Sequence, residues 1–148
     1  MNVTIKSFNR LTCQELYRIL QLRSEVFILE QRIVCQDMDD IDLNALHVCL
    51  KSDSTVTDGY LRLFEQDGIV HIGRVLVAKA LRGRHLGAAL MKVAIDTAGK
   101  HFPGLPIRLH SQEQAVGFYE KLGFRICSER FMEEGVPHFE MELSCGCQ

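Results

Sequence analysis

The chain has 148 residues, 47% of them hydrophobic and 24% charged, with a formal net charge of −2. Those values fit one ordinary globular domain spanning 1–148 and exclude a disordered, collagen-like or strongly charged polypeptide. They also leave no basic footprint for nucleic acid or an anionic membrane, because such binding rests on Lys and Arg neutralising phosphates.

Residues 3–8 alternate apolar and polar side chains as a half-buried strand does, and Thr12-Cys13-Gln14-Glu15 has the spacing of a capping box that opens a helix. Leu16, Ile19, Leu20, Val26 and Phe27 carry one apolar stripe to about residue 28. Polar residues and Asp37, Asp39, Asp40 and Asp42 then interrupt it and predict a loop, with room for a short helix. Residues 47–51, 60–65 and 69–78 read as strands of an antiparallel meander, the last two joined by a tight turn at Asp67-Gly68. Leu86, Leu90, Val93, Ala94 and Thr97 mark an amphipathic helix that ends near Gly99. A strand at 105–109, a helix at 114–122 stopped by Gly123, and a closing hairpin of 124–132 and 138–144 around Glu134-Gly135 complete the order. The strand–helix–strand–helix passage predicts a locally parallel pair within a mostly antiparallel sheet flanked by helices, a mixed α/β class.

Met1 to Lys6 shows no basic stretch followed by an apolar one, and no apolar run reaches the ~18 residues that span a bilayer, so a cytoplasmic protein is expected. The six cysteines lack paired Cys-x-x-Cys spacing, and Cys145-Gly146-Cys147 alone does not make a closed tetrahedral zinc site, so no metal is expected. An EF-hand starting at Asp37 would need glycine at position 42 and glutamate at position 48, where Asp42 and Val48 stand. The aspartates offer an acidic rim for a cationic amine, or simply a solvated loop.

Chemistry concentrates between the third predicted strand of the meander and the helix after it. In Arg82-Gly83-Arg84-His85-Leu86-Gly87-Ala88, backbone N–H groups and the helix dipole can face an anion such as a pyrophosphate. No Gly-Lys-Ser/Thr follows, so this is no Walker loop, and the Gly-x-Gly-x-x-Gly of dinucleotide folds is absent. A plain strand-to-helix connection with exposed basic residues would look much the same.

This segment resembles the acyl-CoA-binding loop of GNAT N-acetyltransferases, Arg/Gln-x-x-Gly-x-Gly/Ala, with Arg82 and Gly87 at the first and sixth positions. His85 stands at the fourth, normally glycine; it is expected to take a conventional backbone conformation at the helix start with its ring outward. Val75-Leu76-Val77 resembles the family's splayed strand, and residues 112–124, ending Gly117-Phe118-Tyr119-Glu120-Lys121-Leu122-Gly123-Phe124, resemble its last helix. Residues 22–31 with the aspartates and His47, and Glu134 to Met141, are similar to the ElaA-like branch, so the resemblance spans roughly 3–143.

The resemblance implies the GNAT acyl-CoA N-acyltransferase fold and acetyl transfer from acetyl-CoA, as co-substrate, to a small-molecule or peptide amine, with no metal. It implies coenzyme contacts at Val75, Leu76, Val77, Arg82, Gly83, Arg84, His85, Leu86, Gly87, Ala88, Gln112 and Tyr119. By similarity the amides near Leu76 and Val77 meet the thioester oxygen, and Tyr119 donates a proton to the leaving thiolate, as a protonated phenol can. For the general base the branch-specific segments offer Glu30, His47 and His138, each with a structural alternative: a helix-end residue, a solvent-facing strand residue and a hairpin residue after proline. A coenzyme-binding sensor without transfer activity is the rival that His85 raises, and a homodimer is compatible with the sequence but not fixed by it.

Overall fold

The computed structural model describes residues 1–144. Strand β1 (Asn2–Ser7) leads to helix α1 (Cys13–Arg23), whose start is capped as predicted: the Glu15 amide donates to Thr12 Oγ1 at 3.0 Å and the Thr12 amide to Glu15 Oε1 at 2.9 Å. Glu15 also accepts from Lys6 Nζ at 2.9 Å and Lys51 Nζ at 2.6 Å, tying the helix start to two strands. The helix does not stop near residue 28 but widens into a π-helical stretch, Ser24–Glu30, and the Gln31 amide still donates to Val26 O at 2.9 Å. A 3₁₀ turn at Ile41–Asn44 interrupts the aspartate loop.

Beyond it come β2 (Leu46–Lys51), β3 (Gly59–Gln66), β4 (Ile69–Val77), α2 (Leu86–His101), β5 (Ile107–Gln112), α3 (Val116–Glu120), β6 (Arg125–Ile126), β7 (Phe131–Glu133) and β8 (Val136–Leu143). They form one sheet in the order β1-β2-β3-β4-β5-β8-β6, with β7 also paired to β8. Every pairing is antiparallel except β4 with β5, which run parallel over Val70↔Ile107, His71↔Arg108 and Ile72↔Leu109. Both tight turns take the expected left-handed conformation, at Asp67-Gly68 (φ 55° and 76°) and Glu134-Gly135 (φ 50° and 74°).

Three predicted elements differ in detail. The strand expected at 105–109 starts after Pro106, which has no N–H to give, and runs on to Gln112. The helix at 114–122 is a 3₁₀ turn, Glu113–Ala115, followed by the short α3. The strand at 124–132 is broken into β6 and β7 because the Ser128 hydroxyl, not a backbone carbonyl, accepts the Glu140 amide at 2.8 Å.

Two apolar clusters lie on opposite faces of the sheet. Leu61, Leu63, Val70, Ile72, Ile107, Leu109 and Met141 pack with Leu90, Met91 and Ala94 of α2, while Tyr60 and Leu76 pack with Ile19, Leu22 and Val26. Strand β4 contributes to both, because its register against β3 slips by one residue between Tyr60↔Leu76 and Arg62↔Gly73. Arg74, at φ 54°, is the left-handed residue of this bulge, and after it the odd-numbered Val75 packs toward α2 while Leu76 packs toward α1.

Candidate active site

Strands β4 and β5 part company after Ile72 and Leu109, because β5 continues its ladder with β8 while β4 stays with β3. The last residues of β4 therefore have a strand on one side only. The Ala78 amide donates to Asp58 O, next to the β3 start, at 2.7 Å, so antiparallel alternation turns Leu76 N–H toward β3 and the amides of Val75 and Val77 toward the open side. The Leu76 amide is thus turned into the ladder, against its expected role as a donor to the thioester, while the Val77 amide faces the open side.

A groove of about 830 Å³ follows this open edge, lined by Val75, Leu76, Val77, Arg82, Gly83, His85, Leu86, Gly87, Ala88 and Tyr119. It ends at the N-terminus of α2, where free amides and the helix dipole favour an anion. His85 caps that helix in the left-handed conformation, φ 59° and ψ 21°, against the conventional backbone expected for it. Gly83 at φ 83° has already turned the chain, the loop needs αL again before the helix can start, and histidine is among the residues that tolerate it. At Gly87 a Cβ would lie 3.4 Å from the Phe118 ring, an ordinary contact, so packing alone does not demand glycine there. Arg84 is exposed beside the groove.

Arg82 is engaged already. Its Nε donates to Val77 O at 3.1 Å and its Nη2 to Glu30 Oε1 at 2.9 Å, a contact that joins the end of the π-helical stretch to the loop before α2. The hydrogen bond from Arg82 holds the Glu30 carboxyl below its usual range.

A second, smaller cavity of about 240 Å³ opens on the other side of the splay, with Gln31, Cys35, Asp37, Arg74, His110, Gln112, Glu133 and His138 in its wall. It shares Val75, Ala115 and Tyr119 with the groove, so the two cavities meet at the Tyr119 ring. Tyr119 is 9% exposed, and burial pushes its phenol up to about 12, leaving it protonated at neutral pH. His138 is buried; its Nδ1 donates to Val136 O at 2.7 Å, which leaves Nε2 facing Glu133 Oε2 at 3.6 Å. Glu133 Oε1 in turn accepts from His110 Nδ1 at 2.8 Å. Gln112 lies in this pocket, outside the groove lining where coenzyme contact was expected, and its Nε2 donates to Gln31 Oε1 at 2.9 Å.

The remaining candidates fall elsewhere. His47 is buried, not solvent-facing: Nε2 donates to Asp42 O at 2.9 Å, Nδ1 accepts from the Tyr60 hydroxyl at 2.6 Å, and burial lowers its pKa. It lines neither cavity. The acidic rim is also corrected, because arginines neutralise three of its four aspartates. Asp42 Oδ1 accepts from Arg23 Nη1 at 2.8 Å and Arg62 Nη1 at 2.9 Å, Asp39 Oδ2 from Arg62 Nη2 at 2.6 Å, and Asp37 bridges Arg23 and Arg74 at 3.0 and 2.9 Å. Cys145 and Cys147 lie outside the described residues.

Reasoning from sequence missed Glu133, His110, Cys35 and Arg74. A signal existed for the first two: the two-residue turn at Glu134-Gly135 pairs Phe131 with His138, and β8 pairs Gln112 with His138 and His110 with Glu140, which sets Glu133, His138 and His110 on one sheet face.

A splayed parallel pair has an anion-receptive helix start on one side and a polar pocket on the other, leaving room for two ligands that share one phenol. A family model described as an acetyltransferase (GNAT) domain matches residues 19–145. Protein ElaA of Escherichia coli is 37% identical over 139 residues, covering 90% of each chain, and a UPF0039 protein of Schizosaccharomyces pombe is 39% identical over 140 residues, covering 93% of each. The crystal structure of E. coli ElaA superposes with a TM-score of 0.92 at 32% identity, covering 97% of this chain and 100% of that one. An acyl-CoA N-acyltransferase from Pseudomonas aeruginosa gives 0.91 at 34%, covering 97% and 99%. The chain belongs to the GNAT acetyltransferase family and is similar to ElaA over nearly its whole length.

Proposed function

We propose that the protein moves an acetyl group from acetyl-CoA directly to a primary amine within a ternary complex. The observation that carries this reading is the meeting of the open-edged groove and the polar pocket at Val75, Ala115 and Tyr119. The coenzyme follows the groove, its phosphates on the α2 amides and on Arg82 and Arg84, its pantetheine arm along the Val75 and Val77 amides. The amine enters from the smaller pocket, which suits the tip of a small molecule or a peptide side chain. The kinship with an acyl-CoA N-acyltransferase of P. aeruginosa supports the donor class.

Of the three bases considered, His138 alone lines the pocket that holds Tyr119; Glu30 pairs with Arg82 away from that pocket, and His47 is held in the core. The amine nitrogen attacks the thioester carbon, the carbon–sulfur bond breaks, and Tyr119 gives its proton to the departing thiolate. The nitrogen proton of the adduct replaces it. The Cys35 thiol is held protonated by burial, which supports direct transfer over an acyl-enzyme.

Thiol release from acetyl-CoA across a panel of amines tests the reading. Tyr119→Phe is expected to lower turnover by ~10²–10⁴-fold while changing coenzyme affinity far less. Coenzyme binding without any amine-dependent thiol release would mark a sensor instead.

A further inference from the structure

The loop between β4 and α2 carries an ion pair that the acyl-transfer reading uses on one side only. Arg82 has five N–H donors, and three are engaged: Nε with Val77 O at 3.1 Å, Nη1 with Glu30 Oε2, and Nη2 with Glu30 Oε1 at 2.9 Å. Glu30 thus takes the whole fork formed by Nη1 and Nη2, and Val77 O takes half of the fork formed by Nε and Nη2. An anion entering the groove meets an arginine with no pair of adjacent donors left to give. Arg82 lines that groove and Glu30 does not, so the carboxylate grips the guanidinium from outside it.

The helix that carries Glu30 explains how it comes to be there. The i→i+5 bonding of Ser24–Glu30 takes in one residue more than an α-turn, which displaces the residues after it by about 100° round the axis from where an α-helix would set them. Gln31, next in the chain, accepts from Gln112 Nε2 at 2.9 Å, which ties the segment to β5 and leaves the Glu30 side chain as the part that can move. Lys79, on the 3₁₀ turn after β4, lines a shallow cavity together with Glu30 and adds its positive charge to that of Arg82. A cation therefore stays beside the carboxylate when the arginine leaves it. The pair itself is of the weak kind, with 40% of the arginine side chain and 31% of the glutamate side chain exposed.

We infer that Glu30 is a built-in stand-in for the coenzyme's phosphates: it holds Arg82 until a pyrophosphate arrives at the start of α2 and takes the guanidinium from it. The inference rests on the acyl-transfer reading above, which supplies the pyrophosphate. Two phosphates bring more charge and more acceptor oxygens than one carboxylate, so the exchange runs toward the coenzyme, and coenzyme affinity is lowered by whatever the pair with Glu30 is worth.

Calorimetric titration of acetyl-CoA into wild type, Glu30→Gln, Arg82→Gln and the double variant tests the exchange, because the cycle isolates the coupling between the two residues. Melting temperatures of the four proteins without coenzyme check their folds. Glu30→Gln should tighten coenzyme binding roughly two- to fivefold, the scale of an exposed ion pair that no longer has to be broken, and should do so only while Arg82 is present. Tightening of the same size in the Arg82→Gln background would reduce Glu30 to general charge repulsion and overturn the inference. Unchanged affinity overturns it too, as does weaker binding, the mark of a residue that only positions Arg82. No coenzyme binding by any of the four proteins defeats the acyl-transfer reading and the inference with it, whereas failure of the inference alone leaves wild-type binding intact.

Discussion

Two sets of arginines in this molecule do opposite things. Arg23 and Arg62, at 0% and 4% exposure, are ion-paired with Asp37, Asp39 and Asp42 and hold the 31–45 loop against the sheet. Arg82 is 40% exposed at its side chain and has one carboxylate partner, Glu30, itself reachable by water. Charges that are buried must carry their partners with them, because an uncompensated one is costly; charges at a groove can exchange partners when a ligand arrives. Burial, then, separates the arginines that anchor the 31–45 loop from the arginine at the groove, proposed above to take an anion.

The contrast can be broken most forcefully at its buried end. Asp42→Ala removes the carboxylate that Arg23 and Arg62 share, leaving them Asp37 and Asp39, and should cost about 3 kcal/mol of folding stability in denaturant melts, the low end of the range for removing one partner of a buried ion pair. The same substitution at a site of the exchangeable kind would cost far less, so a small loss here would erase the distinction.

Acid sharpens it. Burial would raise the Asp42 pKa, yet hydrogen bonds and charge from Arg23 and Arg62 hold it below the ordinary value of 3.8. A folded pKa below the unfolded one gives stability that is complete above that ordinary value and is lost as pH falls beneath it. Wild type should therefore lose stability more steeply below about pH 4 than Asp42→Asn does, as read by melting temperature across pH.

At the groove the order of effects reverses. Arg82→Ala should weaken acetyl-CoA binding roughly tenfold or more while leaving the melting temperature of the ligand-free protein almost unchanged. Smallest of all is His85→Gly: the left-handed backbone it requires is already in place, so affinity should stay within about tenfold, or ~1.4 kcal/mol. A gain of several orders of magnitude would show the imidazole obstructing the phosphates.

The two regions are also unequally legible in the order of the amino acids. Local chemistry speaks plainly there: the Thr12–Glu15 cap, the Asp67-Gly68 and Glu134-Gly135 turns and the parallel crossover are set by neighbouring residues, and the loop from Arg82 to Ala88 is a contiguous motif. The buried charge network is not contiguous. Its members come from α1, the aspartate loop, β3 and the β4 bulge, and four aspartates in six positions read as a solvated rim until three distant arginines are brought to them. His47 reads as solvent-facing for the same reason, since only the folded chain sets Tyr60 and the Asp42 carbonyl around its ring. The proposed base stands between these extremes: His138 is visible in its own segment, but Glu133 and His110 need the hairpin register to join it.

The extra residue at Arg74 has a further consequence, which is one of phase. Before it, β4 assigns its even-numbered side chains to the α2 core, and after it the odd-numbered ones, so one strand carries two alternating patterns half a period apart. No single period-two template fits the whole strand, and the mismatch falls where β5 departs. Were all nine residues of β4 paired one to one with β3, with no bulge, the rhythm would be continuous and the site undone. Leu76 would move to the α2 side, and the amides of Val75 and Val77 would turn inward to β3. The edge that faces the groove would then offer other peptide groups. The bulge works as a clock slipped by one tick, and the chemistry at the end of β4 keeps the slipped time.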